Sequence, residues 1–178
     1  MKKVNTKRIV FNGLMIALVF LGTYATRIPT PLPGGYFNLG DAVIMVAAIV
    51  LGRTSGLVAG AIGSCIADMV FGAFLFAPIT FIVKGLEGYI VGSIASGKAP
   101  EKNMFDYKMV VSVVAGAIVM VAGYFVAEAY LLGFFDKAFG LAAAVSELVP
   151  NLLQGGISAV IGYALSILLI KLNIRKYI

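Results

Sequence analysis

The fold is indicated most clearly by residues 8–52, RIVFNGLMIALVFLGTYATRIPTPLPGGYFNLGDAVIMVAAIVLG. Two strongly apolar stretches, 8–26 and 40–52, flank a loop at 27–40 that holds prolines, a Gly-Gly pair, a tyrosine and an asparagine. A helix needs ~20 apolar residues to cross a bilayer. The first stretch reaches that length. The second is too short, so neighbouring helices must shield it or the loop before it must complete it.

Composition extends this prediction to the whole chain. Of the 178 residues, 61% are hydrophobic and 12% are charged, whereas soluble domains carry about 25% charged residues. We therefore predict a single all-α integral membrane domain over residues 1–178. The lone Cys65 excludes an intrachain disulfide, and the absence of histidine removes the commonest general base and metal ligand. We expect no metal, no cofactor and no catalytic residue.

Six apolar stretches predict a compact bundle of six transmembrane helices, at 8–26, 40–52, 55–76, 77–96, 108–132 and 146–171. The basic N-terminus and the first stretch lack a convincing cleavage site, so we expect a retained helix rather than a signal peptide. Lysines and arginines concentrate on one side of this arrangement, which places both termini in the cytoplasm and the 27–40 loop outside. That side carries Lys2, Lys3, Lys7, Arg8, Arg53, Lys98, Lys102, Lys108, Lys171, Arg175 and Lys176, against Arg27 and Lys137 on the other. This orientation in the membrane explains the net charge of +6, so nucleic-acid binding is not needed to account for it.

Polar side chains within the predicted spans concentrate in the outer halves, beneath the outward loop. Helical spacing places them on shared faces, because residues three or four apart are neighbours on a helix. Such a set of groups in apolar walls suits a small polar molecule. The predicted binding residues are Lys84 and Glu87, Tyr124 and Glu128, and Glu147, Asn151 and Gln154.

Structural roles compete with binding for several of these residues. Lys84 and Glu87 could simply neutralise each other, and Asn151 and Gln154 could hold helices together. Asp41 could cap the second helix or contact the site.

Two further polar residues near the loop are expected to be structural. Asp68 is expected to be bonded to the loop. Arg27 is expected to be an interfacial anchor that extends outward.

Small residues recur every four positions in three spans and predict close helix contacts. In the third span the row is Gly52, Gly56, Gly60 and Ser64, and in the fourth it is Gly88, Gly92 and Ser96. Both rows are expected to pack within the bundle. Gly13 and Ala17 form a similar pair in the first span, which could pack inside the bundle or receive another protein.

Three stretches are similar to a known family: IPTPLPGGYFNLGDAVI (28–44), GLVAGAIGSCIADMVFG (56–72) and FIVKGLEGYIVG (81–92). With the six-span pattern they resemble the S component, the substrate-binding membrane subunit of an energy-coupling factor (ECF) vitamin transporter. The second and third stretches resemble the branch of proposed hydroxymethylpyrimidine and pyridoxine subunits.

The resemblance implies uptake of a vitamin or precursor across a prokaryotic plasma membrane. The 27–40 loop would act as a lid, with Tyr36 and Asn38 reaching over the ligand. The S component would assemble with a transmembrane coupling subunit and two cytoplasmic ATPases. Family members contact the coupling subunit through an Ala-xxx-Ala pattern on helix one, which here reads Gly13 and Ala17. Thiamine-binding members use tryptophan in the pocket. This chain has no tryptophan, so a smaller ring is favoured.

Two other classes of function are alternatives. An intramembrane enzyme is disfavoured because no nucleophile-histidine pair or His-Glu-x-x-His motif is present. A stand-alone proton-coupled carrier could use Glu87, Glu128 and Glu147 as a relay. It is disfavoured because paired repeats, which are common in such carriers, are not evident.

Overall fold

The computed structural model describes residues 6–30, 32, 35–95 and 106–176, without the Arg175 side chain. Its described part holds six α-helices, which confirms the all-α class. They are α1 (Thr6–Ala25), α2 (Gly40–Leu51), α3 (Arg53–Val70), α4 (Ala77–Ala95), α5 (Tyr107–Val126) and α6 (Leu141–Lys171). Some residues used above lie outside the described part: Lys2, Lys3, Pro31, Pro33, Gly34, Ser96, Lys98 and Lys102.

Four helices among the described residues are long and apolar enough to cross a membrane. They are α1, α4, α6 and the helical segment Tyr107–Phe134 that begins with α5. The number of spans and the cytoplasmic position of both termini remain predictions. The short α2 is apolar and almost wholly buried, and it packs against α1, α3, α4 and α6. The expectation that neighbours shield this helix is therefore met.

Two predicted helix ends are wrong. The third helix ends at Val70 rather than 76, because Gly72 adopts a left-handed φ of 76°. The Ala73 N–H then donates to the Asp68 carbonyl and the Gly72 N–H to the Met69 carbonyl, which is the Schellman pattern of helix ends.

The fifth predicted span, 108–132, lies within the helical segment Tyr107–Phe134. Regular α-helix ends at Val126 and continues as a π-helical turn, Ala127–Leu131, and a 3-10 turn, Leu132–Phe134. The second wrong end is the start of α6. α6 begins at Leu141 rather than 146, directly after Gly140 with φ 143°.

The loop between α1 and α2 contains two short strands that the sequence did not predict. β1 (Ile28–Pro29) and β2 (Tyr36–Phe37) pair antiparallel, with Ile28 opposite Phe37. We call the described residues 28–30, 32 and 35–37 the hairpin. It lies over one end of the bundle.

Glycines bring α3 and α4 into direct backbone contact, as their spacing predicted. A Cβ at Gly56 would lie 2.7 Å from the Gly88 carbonyl oxygen, and one at Gly60 would lie 2.3 Å from that of Lys84. A Cβ at Gly92 would lie 2.4 Å from Arg53 Cα. Only glycine permits this approach, and the tight contact fixes the height of Lys84 relative to α3.

Candidate functional site

A small polar cavity of about 40 Å³ lies at the hairpin end of the bundle. The hairpin and the ends of α1, α3, α4, α5 and α6 line it. Eight of the nine predicted binding residues face this cavity: Tyr36, Asn38, Lys84, Tyr124, Glu128, Glu147, Asn151 and Gln154. Sequence reasoning missed six other lining residues: Thr23, Gly35, Ser64, Asp68, Phe76 and Thr80.

Glu87 is the predicted binding residue that does not line the cavity. It is completely buried beneath it, and one of its oxygens lies 3.6 Å from Lys84 Nζ. Lys84 makes its closer ion pair with Asp41. Both Asp41 and Glu87 are inaccessible to solvent, so the ammonium is held between two buried carboxyl groups at the cavity floor.

Asp41 therefore does not cap α2, which has no side-chain cap. The Gln154 amide N–H donates to the second Asp41 oxygen at 2.8 Å. The Gln154 carbonyl oxygen accepts the Asn38 backbone N–H at 2.8 Å and the Asn38 amide at 3.3 Å. Gln154 thus connects α6, α2 and the segment after the hairpin. These bonds support a structural role for Gln154, in which its amide holds helices together.

Two further bonds attach the hairpin to the bundle. The Leu32 N–H donates to Glu147 at 3.2 Å, and the Tyr36 hydroxyl donates to Asp68. The second bond confirms that Asp68 is bonded to the loop. Burial, followed by the charge of Asp68, raises the pKa of the Tyr36 phenol, so the hydroxyl remains a proton donor.

Arg27 does not extend outward, contrary to the sequence-based expectation. Its guanidinium carbon lies 4.1 Å from the Phe71 ring centroid and 5.1 Å from that of Tyr36. Cation–π attraction of this kind favours the folded-back position. Arg27 therefore supports the outer side of the hairpin through aromatic contacts.

The wall opposite the hairpin is built by α4 and the end of α5. The Tyr124 and Thr80 hydroxyls are 2.9 Å apart, and Lys84 Nζ lies 5.3 Å from the centre of the Tyr124 ring. Glu128 lies in the π-helical turn, 3% exposed. Such turns are frequent at functional sites because they re-aim side chains.

The missed residues carry weak sequence signals. Thr23, Ser64 and Thr80 are small hydroxyl residues within helices, where such side chains commonly bond their own backbone. Asp68 was expected to bond to the loop rather than to line the ligand site. Phe76 follows the end of α3, which was predicted six residues too late.

Gly13 and Ala17 lie far from the cavity along α1. Both are exposed, and a Cβ at Gly13 would have no neighbour within 4 Å. Packing of this pair inside the bundle is therefore excluded. Their role in partner binding remains a prediction.

The fold and the cavity together define a helical membrane protein with a polar chamber under a hairpin. The family model described as "ECF-type riboflavin transporter, S component" matches residues 3–171, so the chain belongs to this family. Membership implies a substrate-binding subunit of a vitamin transporter rather than an enzyme, with ATP hydrolysis in separate subunits. The resemblance to S components is confirmed. The hydroxymethylpyrimidine or pyridoxine branch is still a prediction.

Two other proteins are similar to this chain over more than half of its length. A protein described as "Uncharacterized protein in gap 3'region" from Pyrococcus woesei is 36% identical over 154 residues, covering 86% of this chain and 95% of that protein. A "UPF0397 protein" from Streptococcus pneumoniae serotype 19F (strain G54) is 33% identical over 106 residues, covering 60% of this chain and 57% of that protein. The match with the second relative therefore spans little more than half of its length.

Proposed function

We propose that this protein binds a small water-soluble vitamin or vitamin precursor and serves its ATP-driven uptake as an S component. The observation that carries the proposal is the chamber under the hairpin. Its lining combines aromatic rings with carboxyl, amide and hydroxyl groups, which is the usual composition of a ligand site. Polar groups on these helices could replace the hydrogen bonds that a water-soluble ligand loses when it leaves water.

The hairpin has the contacts expected of a lid. Its described hydrogen bonds to the bundle run through Leu32, Tyr36 and the following Asn38, and the Leu32 side chain also packs into a buried apolar cluster with Phe76, Leu132 and Phe139. Such hydrogen bonds contribute ~0.5–1.5 kcal/mol each between neutral groups and ~1.5–3 kcal/mol where one group is charged. Together, these hydrogen bonds can keep the hairpin closed over a bound ligand and can break again when the ligand leaves.

Hydroxymethylpyrimidine and pyridoxine are the leading ligands. Both are single nitrogen heterocycles with hydroxymethyl groups, so hydroxyl and ring-nitrogen groups could meet the amides and carboxyls of the chamber. Riboflavin, which the family description names, is the second candidate. Its three fused rings and polyol chain would need much more space than a single ring does.

Transport would depend on partners that this chain contacts through α1. The exposed Gly13 and Ala17 pair leaves a shallow surface on which a partner helix could pack closely. A transmembrane coupling subunit would bind there, and two cytoplasmic ATPases would supply the energy. The cell membrane of a prokaryote is the expected location.

Uptake of labelled hydroxymethylpyrimidine and pyridoxine in a host lacking its own carriers tests this function. The chain would be expressed alone, with the coupling subunit and ATPases, or with ATPases whose phosphate-binding lysine is replaced. We expect uptake only with active ATPases. Uptake by the chain alone that collapses with a proton ionophore would instead support the proton-coupled carrier.

A further inference from the structure

The chamber contains more hydrogen-bond acceptors than the protein's own donors satisfy. Asp68 uses one carboxyl oxygen to accept the Tyr36 hydroxyl. Its other oxygen has no hydrogen-bond partner among the described residues, and neither has Glu128 Oε2. Asp68 is 2% exposed and Glu128 is 3% exposed, and both line the cavity. Buried acceptors of this kind are rare in native structures and call for a partner.

Nearby cations are already engaged with other groups. Lys84, the one cation among the described lining residues, pairs with Asp41 and approaches Glu87. Arg27 is held over the Phe71 and Tyr36 rings and does not line the cavity. Neither cation makes a salt bridge with Asp68 or Glu128 within the described part of the chain.

Helix ends increase the need for positive charge. Asp68 lies in the last turn of α3, and Glu128 lies in the turn that follows α5. The C-terminal end of a helix carries a partial negative charge, so it favours cations and disfavours carboxylates. Glu147 adds a third carboxyl group to the lining. The field inside the chamber is therefore set by carboxyl groups.

Aromatic rings complete the site. Phe76 and Tyr124 both line it, with ring centroids 6.4 Å apart. The faces of such rings attract cations and flat electron-poor rings. The aromatic walls and the unpartnered carboxyl oxygens therefore both favour a basic ring.

From these contacts we infer that the chamber selects a flat nitrogen heterocycle that is basic or rich in hydrogen-bond donors, and that it rejects anionic forms of the same ring. Asp68 and Glu128 accept the ligand's amino, hydroxymethyl or protonated ring N–H groups. A carboxylate or phosphate on the ligand would face three carboxyl groups in a site with little water, where like charges repel strongly. This inference rests on the proposed function and adds the selectivity of its site.

Two matched ligand pairs test the inference on the purified full-length protein. One pair is hydroxymethylpyrimidine and its monophosphate, and the other is pyridoxine and 4-pyridoxic acid. Each pair differs by one anionic group. Calorimetry should show the uncharged or basic member binding ~tenfold or more tightly, the size expected for hydrogen bonds to charged groups. An anionic member that binds within tenfold of its partner overturns the inference and leaves vitamin binding intact.

A substitution assigns the selectivity to its residue. Glu128→Gln keeps the side chain's shape but replaces an acceptor oxygen with a donor. The variant should therefore bind the uncharged or basic ligand more weakly, and the ratio of its affinity to that of the anionic ligand should fall. Asp136→Asn is the matched control, because Asp136 is exposed and remote from the lining residues. If Glu128→Gln misfolds, Asp68→Asn replaces it with the same expectation. An unchanged preference in a folded variant contradicts the assignment. If no probe binds, riboflavin included, the proposed function itself fails and the inference with it.

Discussion

At the residue scale, the pair of Lys84 and Asp41 explains how charge is tolerated in the interior. The Asp41 carboxylate binds Lys84 with one oxygen and Gln154 with the other. All three side chains are at most 3% exposed. A buried ion pair often adds little net stability, but removing one partner strands the other charge. The pair therefore fixes the geometry of the cavity floor more than it stabilises the fold.

Asp41→Asn should lower the free energy of unfolding by ~3–5 kcal/mol, the usual cost of breaking a buried pair. Thermal denaturation in detergent measures this change. Asp41→Asn combined with Lys84→Met is the control, because it removes both charges and should recover part of the loss. A single variant as stable as the wild-type protein would show that the pair is dispensable.

Tyr36→Phe tests the hairpin's bond to Asp68. The substitution removes one hydroxyl that donates to a buried carboxylate, a bond worth ~1.5–3 kcal/mol. Ligand release should therefore accelerate by about tenfold or more in stopped-flow measurements. Tyr107→Phe is the matched control, since Tyr107 is 65% exposed at the start of α5. Equal release rates for the two variants would mean that this bond does not hold the lid.

At the scale of elements, glycines place the backbones of α3 and α4 in direct contact. A Cβ at Gly88 would lie 2.3 Å from the Gly56 carbonyl oxygen and 2.4 Å from its carbon. Backbone atoms in helices cannot yield to a methyl group as a flexible side chain can. The two helices would have to separate, which would also displace Lys84.

Gly88→Ala should therefore destabilise the protein by ~1–3 kcal/mol, as overpacking does. Gly156→Ala on α6 is the matched control, because a Cβ there meets nothing within 4 Å. It should be neutral or slightly stabilising, since alanine is the better helix former. Denaturation midpoints compare the two, and equal midpoints would contradict the packing account.

Elements also show what the sequence could predict. Glu147, Asn151 and Gln154 follow helical spacing, and all three line the cavity, because periodicity alone places them on one face. Glu87 obeys the same rule three residues after Lys84, yet it lies beneath the cavity. Residue spacing predicts which face of a helix a side chain lies on. It does not predict how far along the helix the cavity extends.

Helix ends and the hairpin escaped prediction for a different reason. The stop at Gly72 depends on a positive φ and on two backbone hydrogen bonds, while the local sequence remains apolar. The π-helical turn that carries Glu128 is a backbone irregularity without a composition signal. The first feature is a local glycine motif that an apolar stretch conceals, whereas the second has no recognisable sequence pattern.

At the scale of the whole molecule, binding and transport should be separable, because they use different surfaces. The cavity lies under the hairpin, whereas Gly13 and Ala17 are exposed on α1. Gly13 has open space where a Cβ would be. A large side chain at this position can therefore be accommodated by the isolated protein.

Gly13→Trp and Ala17→Trp should keep ligand affinity near the wild-type value and abolish both co-purification with the coupling subunit and ATP-driven uptake. Membrane helices associate largely through close van der Waals fit, which the indole ring would prevent. Val160→Trp is the control, because Val160 is 71% exposed on α6 and should assemble normally. Normal assembly of the α1 variants would exclude this surface as the contact.

The central claim is that the chamber under the hairpin binds the ligand, and Asn151 offers the most direct test of it. Asn151 lines the cavity, and its side chain makes no hydrogen bond to another described residue. Replacing Glu147 or Gln154 would also release the hairpin, so a loss of affinity there would have two causes. Asn151→Ala removes a lining amide without breaking a bond seen within the bundle.

Calorimetric titration of wild-type and Asn151→Ala protein with hydroxymethylpyrimidine and pyridoxine is the decisive measurement. We predict that the substitution weakens binding of the preferred ligand by about tenfold, since a buried ligand group left without its partner costs ~1–3 kcal/mol. The melting temperature without ligand should stay the same. Unchanged affinity in a protein with unchanged melting would contradict the assignment of this chamber as the binding site.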